Sequence, residues 1–130
     1  MKSNKFDVII LAGGKGTRIK RFLKNKPKPM IKIQNLNFLD ILIKNFSKYN
    51  INKIYIAAGY KGKKIFQKFN NKKVNLVDIK CIVENKTLGT GGSLSQFKGK
   101  TTKKFFVING DTFFDIDLNK IFHKYKNSKK

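Results

Sequence analysis

Phe6-Asp-Val-Ile-Ile-Leu-Ala-Gly-Gly-Lys-Gly-Thr-Arg18 is the stretch that decides the fold. Its first half, Phe6 to Leu11, is short, β-branched and nearly continuous in its apolar character. That is the pattern of a strand buried on both faces of a parallel sheet, whereas a half-exposed strand alternates. A glycine-rich turn follows at once. The same kind of run recurs at Lys53 to Ala58, closed by Gly59, and at Lys104 to Ile108, which ends in Asn109-Gly110-Asp111. Val74 to Val83 reads as a further strand region.

Helical periodicities separate these runs. Phe38, Leu42, Phe46 and Tyr49 are spaced by four, four and three, which stacks them on one face of a helix over 38–49. Ile65, Phe66 and Phe69 give Lys63 to Phe69 the same character. A short helix is expected after the glycines of Leu88 to Gly92, running through Phe97, and another from Leu118 to Tyr125. Smaller features are a helical turn at Ile19 to Leu23, a short strand at Met30 to Ile33 and a turn at Asn35 to Asn37. Strand and helix alternate throughout. The expected fold is therefore α/β: a Rossmann-like, doubly wound, mainly parallel sheet with helices on both faces. Right-handed crossovers align the strand C-termini along one edge, and ligands of such sheets bind there.

Composition narrows the class. At 130 residues the chain is expected to be one domain, 1–130, with a real core. Its 40 % apolar share fits a globular protein. No run reaches the roughly 18 apolar residues of a membrane span, and Phe6 to Ala12 is too short for a signal-peptide core. A cytoplasmic location with no membrane partner is the resulting expectation. The single cysteine, Cys81, sits in an apolar stretch and reads as a buried, inert thiol. The net charge of +23 invites a nucleic-acid reading. Yet the lysines are spread along the whole chain, and arginine occurs only at Arg18 and Arg21. Abundant Lys, Asn, Ile and Phe share A- and T-rich codons, so genomic bias accounts for the set. No nucleic-acid partner is expected. The positive field still raises the encounter rate with small anionic substrates.

Four segments carry chemistry. Gly13, Gly14 and Gly16 leave backbone N–H groups open to close approach by phosphate oxygens, and Lys15, Arg18 and Lys20 add charge at the same point. A Walker A loop is excluded because Thr17-Arg18 follows Gly16, and a dinucleotide fingerprint is excluded by Ile19. Pro27-Lys28-Pro29-Met30 is read as a stiff extended segment that presents Lys28 to an anion at low entropic cost. Asp111, at the end of a buried strand, is a hard oxygen ligand of the kind Mg²⁺ prefers beside phosphates. Of the nearby acids Asp115 and Asp117, the latter is favoured as the cap of the following helix. In Glu84 to Gly92, the bare backbone of Leu88-Gly89-Thr90-Gly91-Gly92 suits either a flat base lying against it or a structural helix start.

In this order and spacing, Leu11 to Arg18, Pro27 to Met30, Leu88 to Gly91 and Gly110-Asp111 resemble the sugar-phosphate nucleotidyltransferases that make nucleotide-sugars. The combination of Leu88-Gly-Thr-Gly-Gly92 with Asn109-Gly-Asp-Thr-Phe-Phe-Asp115 looks most like the heptose 1-phosphate guanylyltransferase branch. Mannose-1-phosphate guanylyltransferases and glucose-1-phosphate thymidylyltransferases are the competing branches. The resemblance implies transfer of a nucleoside monophosphate, GMP in the nearest branch, from a nucleoside triphosphate to a sugar 1-phosphate. It implies Mg²⁺ as cofactor, with Asp111 as its ligand. It further implies that Leu11, Ala12, Gly13, Gly14, Gly16 and Thr17 hold the triphosphate and that Arg18 steadies the leaving pyrophosphate. Lys28 then engages the α-phosphate, and Leu88 and Gly89 approach the base. Such proteins normally continue for about a hundred residues more, a part that carries a second metal-binding Asp and most sugar contacts. The alternatives of another class are a non-catalytic nucleotide-binding fragment and a basic nucleic-acid-binding protein.

Overall fold

The computed structural model describes residues 4–13, 27–86, 88–113 and 115–128. The expected helical turn at Ile19 to Leu23 lies outside them. So do Gly14, Gly16, Thr17 and Arg18 of the first loop. Strand β1 is Phe6–Ala12, and Phe6 to Ile10 are each 1 % exposed or less, as a two-sided burial requires. A 3-10 turn spans Lys28–Met30, then β2 (Lys32–Ile33) and β3 (Leu36–Asn37) form a small antiparallel hairpin leading into helix α1, Phe38–Ser47. The chain continues through β4 (Ile51–Ala58), α2 (Gly62–Phe69), β5 (Lys73–Val74), β6 (Val77–Val83), α3 (Gly89–Ser95), β7 (Phe105–Asn109) and α4 (Leu118–Asn127).

Five strands make one sheet in the order β5-β6-β4-β1-β7. β1 lies between β4 and β7 and is parallel to both, with Ile9 opposite Tyr55 on one side and Val107 on the other. Helices α1, α2 and α4 cover one face. Its large core runs from Val8 and Ile10 through Ile54 and Ile56 to Leu42, Phe46, Ile65 and Leu118. Phe6 anchors α4 there, meeting Phe122 at 4.8 Å and Phe106 edge-on at 4.9 Å between ring centroids. The opposite face carries a smaller core of Ile9, Tyr55, Ala57 and Phe97, against which Leu94 of α3 packs. Full burial of each such aliphatic side chain contributes about 1.5–3 kcal/mol.

Three readings of the sequence need correction. The third strand region is two strands, because Asn75 (φ 48°) and Leu76 (φ 67°) turn the chain between β5 and β6 into an antiparallel hairpin. Pro27-Lys28-Pro29 is not extended: the Met30 N–H reaches the Pro27 carbonyl at 2.9 Å and closes a 3-10 turn. Pro29 suits that turn, since its fixed φ is helical and a first turn needs no N–H from it. Helix α3 begins at Gly89 and absorbs the glycines expected to precede it.

Buried Asp7 was invisible within the apolar run of β1. It is 1 % exposed, and its carboxylate accepts from the Thr102 N–H at 2.7 Å and from Asn52 Nδ2 at 2.9 Å. Its own N–H donates to Thr102 Oγ1 at 2.9 Å. Burial, reinforced by the Asp7 charge, raises the pKa of the Tyr55 phenol, whose hydroxyl donates to the Lys100 carbonyl at 2.9 Å. This network ties the entry of β1 to the loop before β7, at the strand end remote from the cleft described next.

Candidate active site

Parallel strands that end together leave a cleft at their C-terminal edge. Here it has a volume of about 360 Å³. Leu11, Ala12 and Gly13 line it from β1, Asn109, Gly110 and Asp111 from the end of β7, and Glu84 from the residue after β6. Pro29 contributes from the 3-10 turn, and Gly89, Thr90 and Ser93 from α3. The cleft thus unites the first glycine segment, the Pro-Lys-Pro segment, the second glycine segment and the Gly-Asp pair.

Two glycines are required by close approach. A Cβ at Gly59 would fall 2.8 Å from both the Cα and the carbonyl oxygen of Gly13. A Cβ at Gly110 would lie 2.9 Å from the Leu11 carbonyl oxygen. The Gly110 N–H donates to that same carbonyl at 2.8 Å, and the Tyr60 N–H to Gly13 O at 3.5 Å. Gly13 and the end of β1 are therefore held between the ends of β4 and β7 by close backbone contacts.

Asp111 is exposed on the cleft wall, and its Oδ1 accepts from Thr112 Oγ1 at 3.1 Å. Among the described residues no cluster of three or more His, Cys, Asp or Glu surrounds it. One carboxylate beside an open cleft fits Mg²⁺, which keeps several waters and completes its shell with substrate phosphates. Asp117 instead caps α4, its Oδ1 accepting from the Lys120 N–H at 3.1 Å.

Among the predicted residues, the cleft gathers Leu11, Ala12, Gly13, Gly89 and Asp111. Leu88 is not in its lining. It precedes α3 with its side chain against Gly92, where a Cβ would meet Leu88 Cβ at 2.7 Å. Lys28 opens the 3-10 turn next to cleft-lining Pro29.

Glu84 is the residue the sequence reading named only as the edge of a segment. Its N–H donates to the Ala58 carbonyl at 2.7 Å, extending the β6–β4 pairing by one step. Its Oε1 accepts from Ser93 Oγ and, at 3.4 Å, from Gln96 Nε2. Both donors come from α3 and its end, so the helix fixes the carboxylate. Glu84 and Gly13 also line a neighbouring recess of about 270 Å³ with Gly59, Tyr60, Lys61, Asn85 and Lys86.

The model of the Nucleotidyl transferase family matches residues 7–130. The chain belongs to that family. This nucleotidyl transferase chain is 39 % identical over 113 residues to the D-glycero-alpha-D-manno-heptose 1-phosphate guanylyltransferase of Campylobacter jejuni, covering 87 % of itself and 51 % of that protein. It is 30 % identical to the mannose-1-phosphate guanylyltransferase of Mycobacterium tuberculosis, covering 95 % of itself and 35 % of the relative. The crystal structure of HddC from Yersinia pseudotuberculosis complexed with GMP-PN superposes with a TM-score of 0.79 at 36 % identity, covering 92 % of this chain and 53 % of that one. The nucleotidyl transferase chain thus spans about half the length of the Campylobacter jejuni protein and of the Yersinia pseudotuberculosis chain it matches.

Proposed function

We propose that this chain is the nucleoside-triphosphate-binding part of a sugar-1-phosphate nucleotidyltransferase that uses GTP and heptose 1-phosphate. One observation carries the reading: Gly13, just after β1, and Asp111, just after β7, line one cleft. In the proposed reaction an oxygen of the sugar 1-phosphate attacks the α-phosphorus of GTP. The bond from that phosphorus to the bridging oxygen breaks, and pyrophosphate leaves with its electron pair. Catalysis of this kind is positioning plus charge neutralisation. Gly13 and the loop after it hold the triphosphate, and Arg18 and Lys28 take the roles the family motif gives them. Asp111 would hold Mg²⁺, which supplies charge neutralisation on the phosphates when bound.

Two observations support guanine. Two relatives, 39 % and 36 % identical, are named guanylyltransferases, and Glu84 places a fixed acceptor on the cleft wall. Guanine offers N1–H and an exocyclic amino group as adjacent donors, and a carboxylate suits that edge. Uracil and thymine flank a single N–H with two carbonyls, which a carboxylate repels.

The test is calorimetric titration of the chain with GTP and Mg²⁺, followed by Asp111→Ala. The expected result is Mg²⁺-strengthened GTP binding that loses its metal dependence in the variant. Added heptose 1-phosphate is expected to release little pyrophosphate from this chain by itself. GTP binding indifferent to both Mg²⁺ and the Asp111 change would refute the assignment of Asp111.

A further inference from the structure

The Glu84 carboxylate is held at one oxygen only. Its Oε1 accepts from Ser93 Oγ and, at 3.4 Å, from Gln96 Nε2. Two donors on one oxygen match its two lone pairs. The other oxygen, Oε2, lies 3.7 Å from where a Cβ on Gly13 would stand, and among the described residues it has no hydrogen-bond partner. Glu84 and Gly13 both line the cleft, so Oε2 is the oxygen left for a ligand. Ser93 and Gln96 are three residues apart, which sets them on one face of α3 and its C-cap. Ser93 is 8 % exposed, and its hydroxyl is turned away from its own helix toward Glu84. Ser95 shows the ordinary alternative: its hydroxyl donates back to the Gly92 carbonyl at 2.7 Å. Gln96 Nε2 also reaches the Ser93 carbonyl at 3.3 Å, which ties the two donors together. The helix is seated by Phe97, 2 % exposed and edge-on to Tyr55 at 5.4 Å between ring centroids.

We propose that Ser93 and Gln96 are positioning residues for base selection: by occupying Oε1 they fix the plane of the Glu84 carboxylate and aim Oε2 at the base. The last torsion of a glutamate is broad, so without these donors the carboxylate rotates and its acceptor points in many directions. An acceptor fixed beforehand bonds a matching donor with less entropy lost. Contacts to ribose and phosphate are untouched by that gain. What α3 controls is therefore the preference between bases and not the affinity for nucleotides at large. The proposal rests on the reading of Glu84 as the acceptor for guanine.

The test measures Kd for GTP and for UTP by calorimetry on the whole 130-residue chain. Contacts common to the two nucleotides cancel in the ratio of the two constants. Ser93→Ala is expected to narrow the GTP preference by about threefold and Glu84→Ala by about tenfold, the latter being the size of one hydrogen bond to a charged group. The double variant Ser93→Ala, Glu84→Ala should match Glu84→Ala alone, because Ser93 acts only through the carboxylate. Gln96→Met removes the longer bond at a half-buried position and should narrow the preference less than Ser93→Ala does. It reads the same effect should Ser93→Ala fail to fold. A Ser93→Ala chain that weakens GTP and UTP alike overturns the proposal, since the hydroxyl would then only hold the cleft together. Additive losses in the double variant overturn it too, since Ser93 would then meet the base directly. A preference that Glu84→Ala narrows, and that Ser93→Ala and Gln96→Met leave intact, overturns the proposal alone. A preference that Glu84→Ala leaves intact removes the reading of Glu84 and the proposal with it.

Discussion

Replacing Gly59 with alanine tests whether Gly13 is held by backbone contact. Gly59 is not in the left-handed region, so alanine meets no torsional penalty and the effect is purely steric. The new Cβ would sit 2.8 Å from Gly13 Cα and O, and ordinary contact begins at 3.4 Å, so one strand end must retreat by about 0.6 Å. Both partners are backbone, which cannot swing aside as a flexible side chain would. Overpacking of this kind costs about 1–3 kcal/mol. With an unfolding entropy of about 2.1 cal/mol/K per residue, a cost of about 2 kcal/mol lowers the Tm of a 130-residue chain by roughly 7 °C. A displacement of about 0.6 Å beside Gly13 should also weaken GTP binding. Gly91→Ala is the control with the opposite sign. A Cβ there meets nothing within 4 Å, and helical alanine gains about 0.5–1 kcal/mol over glycine. Differential scanning fluorimetry and calorimetric GTP titration read both variants. A Gly59→Ala chain that melts with wild type, beside a Gly91→Ala chain that melts higher, would refute the reasoning.

Asp7→Ala should destabilise the chain by about 2–4 kcal/mol in urea unfolding, since it leaves the Thr102 N–H and Asn52 amide without their buried acceptor. Burial pushes the Cys81 thiol up to about 12 from 9.0, so at pH 8 it should react with a disulfide reagent about a thousandfold more slowly than in the urea-unfolded chain. The sign for stability follows: the folded pKa lies above the unfolded one, so the Cys81 contribution is intact below about 9 and is lost as pH rises toward about 12. Alkaline titration of Tm in wild type and Cys81→Ala reads that loss. Glu84→Gln should narrow the preference for GTP over UTP by about tenfold with little change in Tm, because the amide keeps an acceptor for Ser93 and offers uracil a donor. Equal GTP and UTP affinities in wild type would remove Glu84 from base selection.

What the sequence disclosed depends on how local each signal is. The buried strands β1 and β4 were legible because uninterrupted apolar runs have no other cheap conformation. The Asp117 cap was legible because capping acts within three residues. The Asn75-Leu76 turn leaves little trace in the sequence because it contains neither glycine nor proline, and leucine rarely adopts φ near 67°. The start of α3 is hidden in the sequence because glycines disfavour helix intrinsically, yet Ser93 and Phe97 are buried against the rest of the fold. Asp7 and Glu84 share a different reason. Their partners, Thr102 and Ser93, come from loops or helices brought near by the crossovers. No spacing rule along the chain encodes that meeting.

The position of Glu84 in two linings has a further consequence for ligand design. With Gly13 it lines both the main cleft and the smaller recess that Tyr60 and Lys61 also line. A side chain shortened at 84 would open the wall that the two compartments share. An inhibitor with a branch reaching past Glu84 toward Lys61 and Lys86 would then fill space that a nucleotide lying along the main cleft does not use, and Glu84→Ala should admit such a branched molecule where the native carboxylate turns it away.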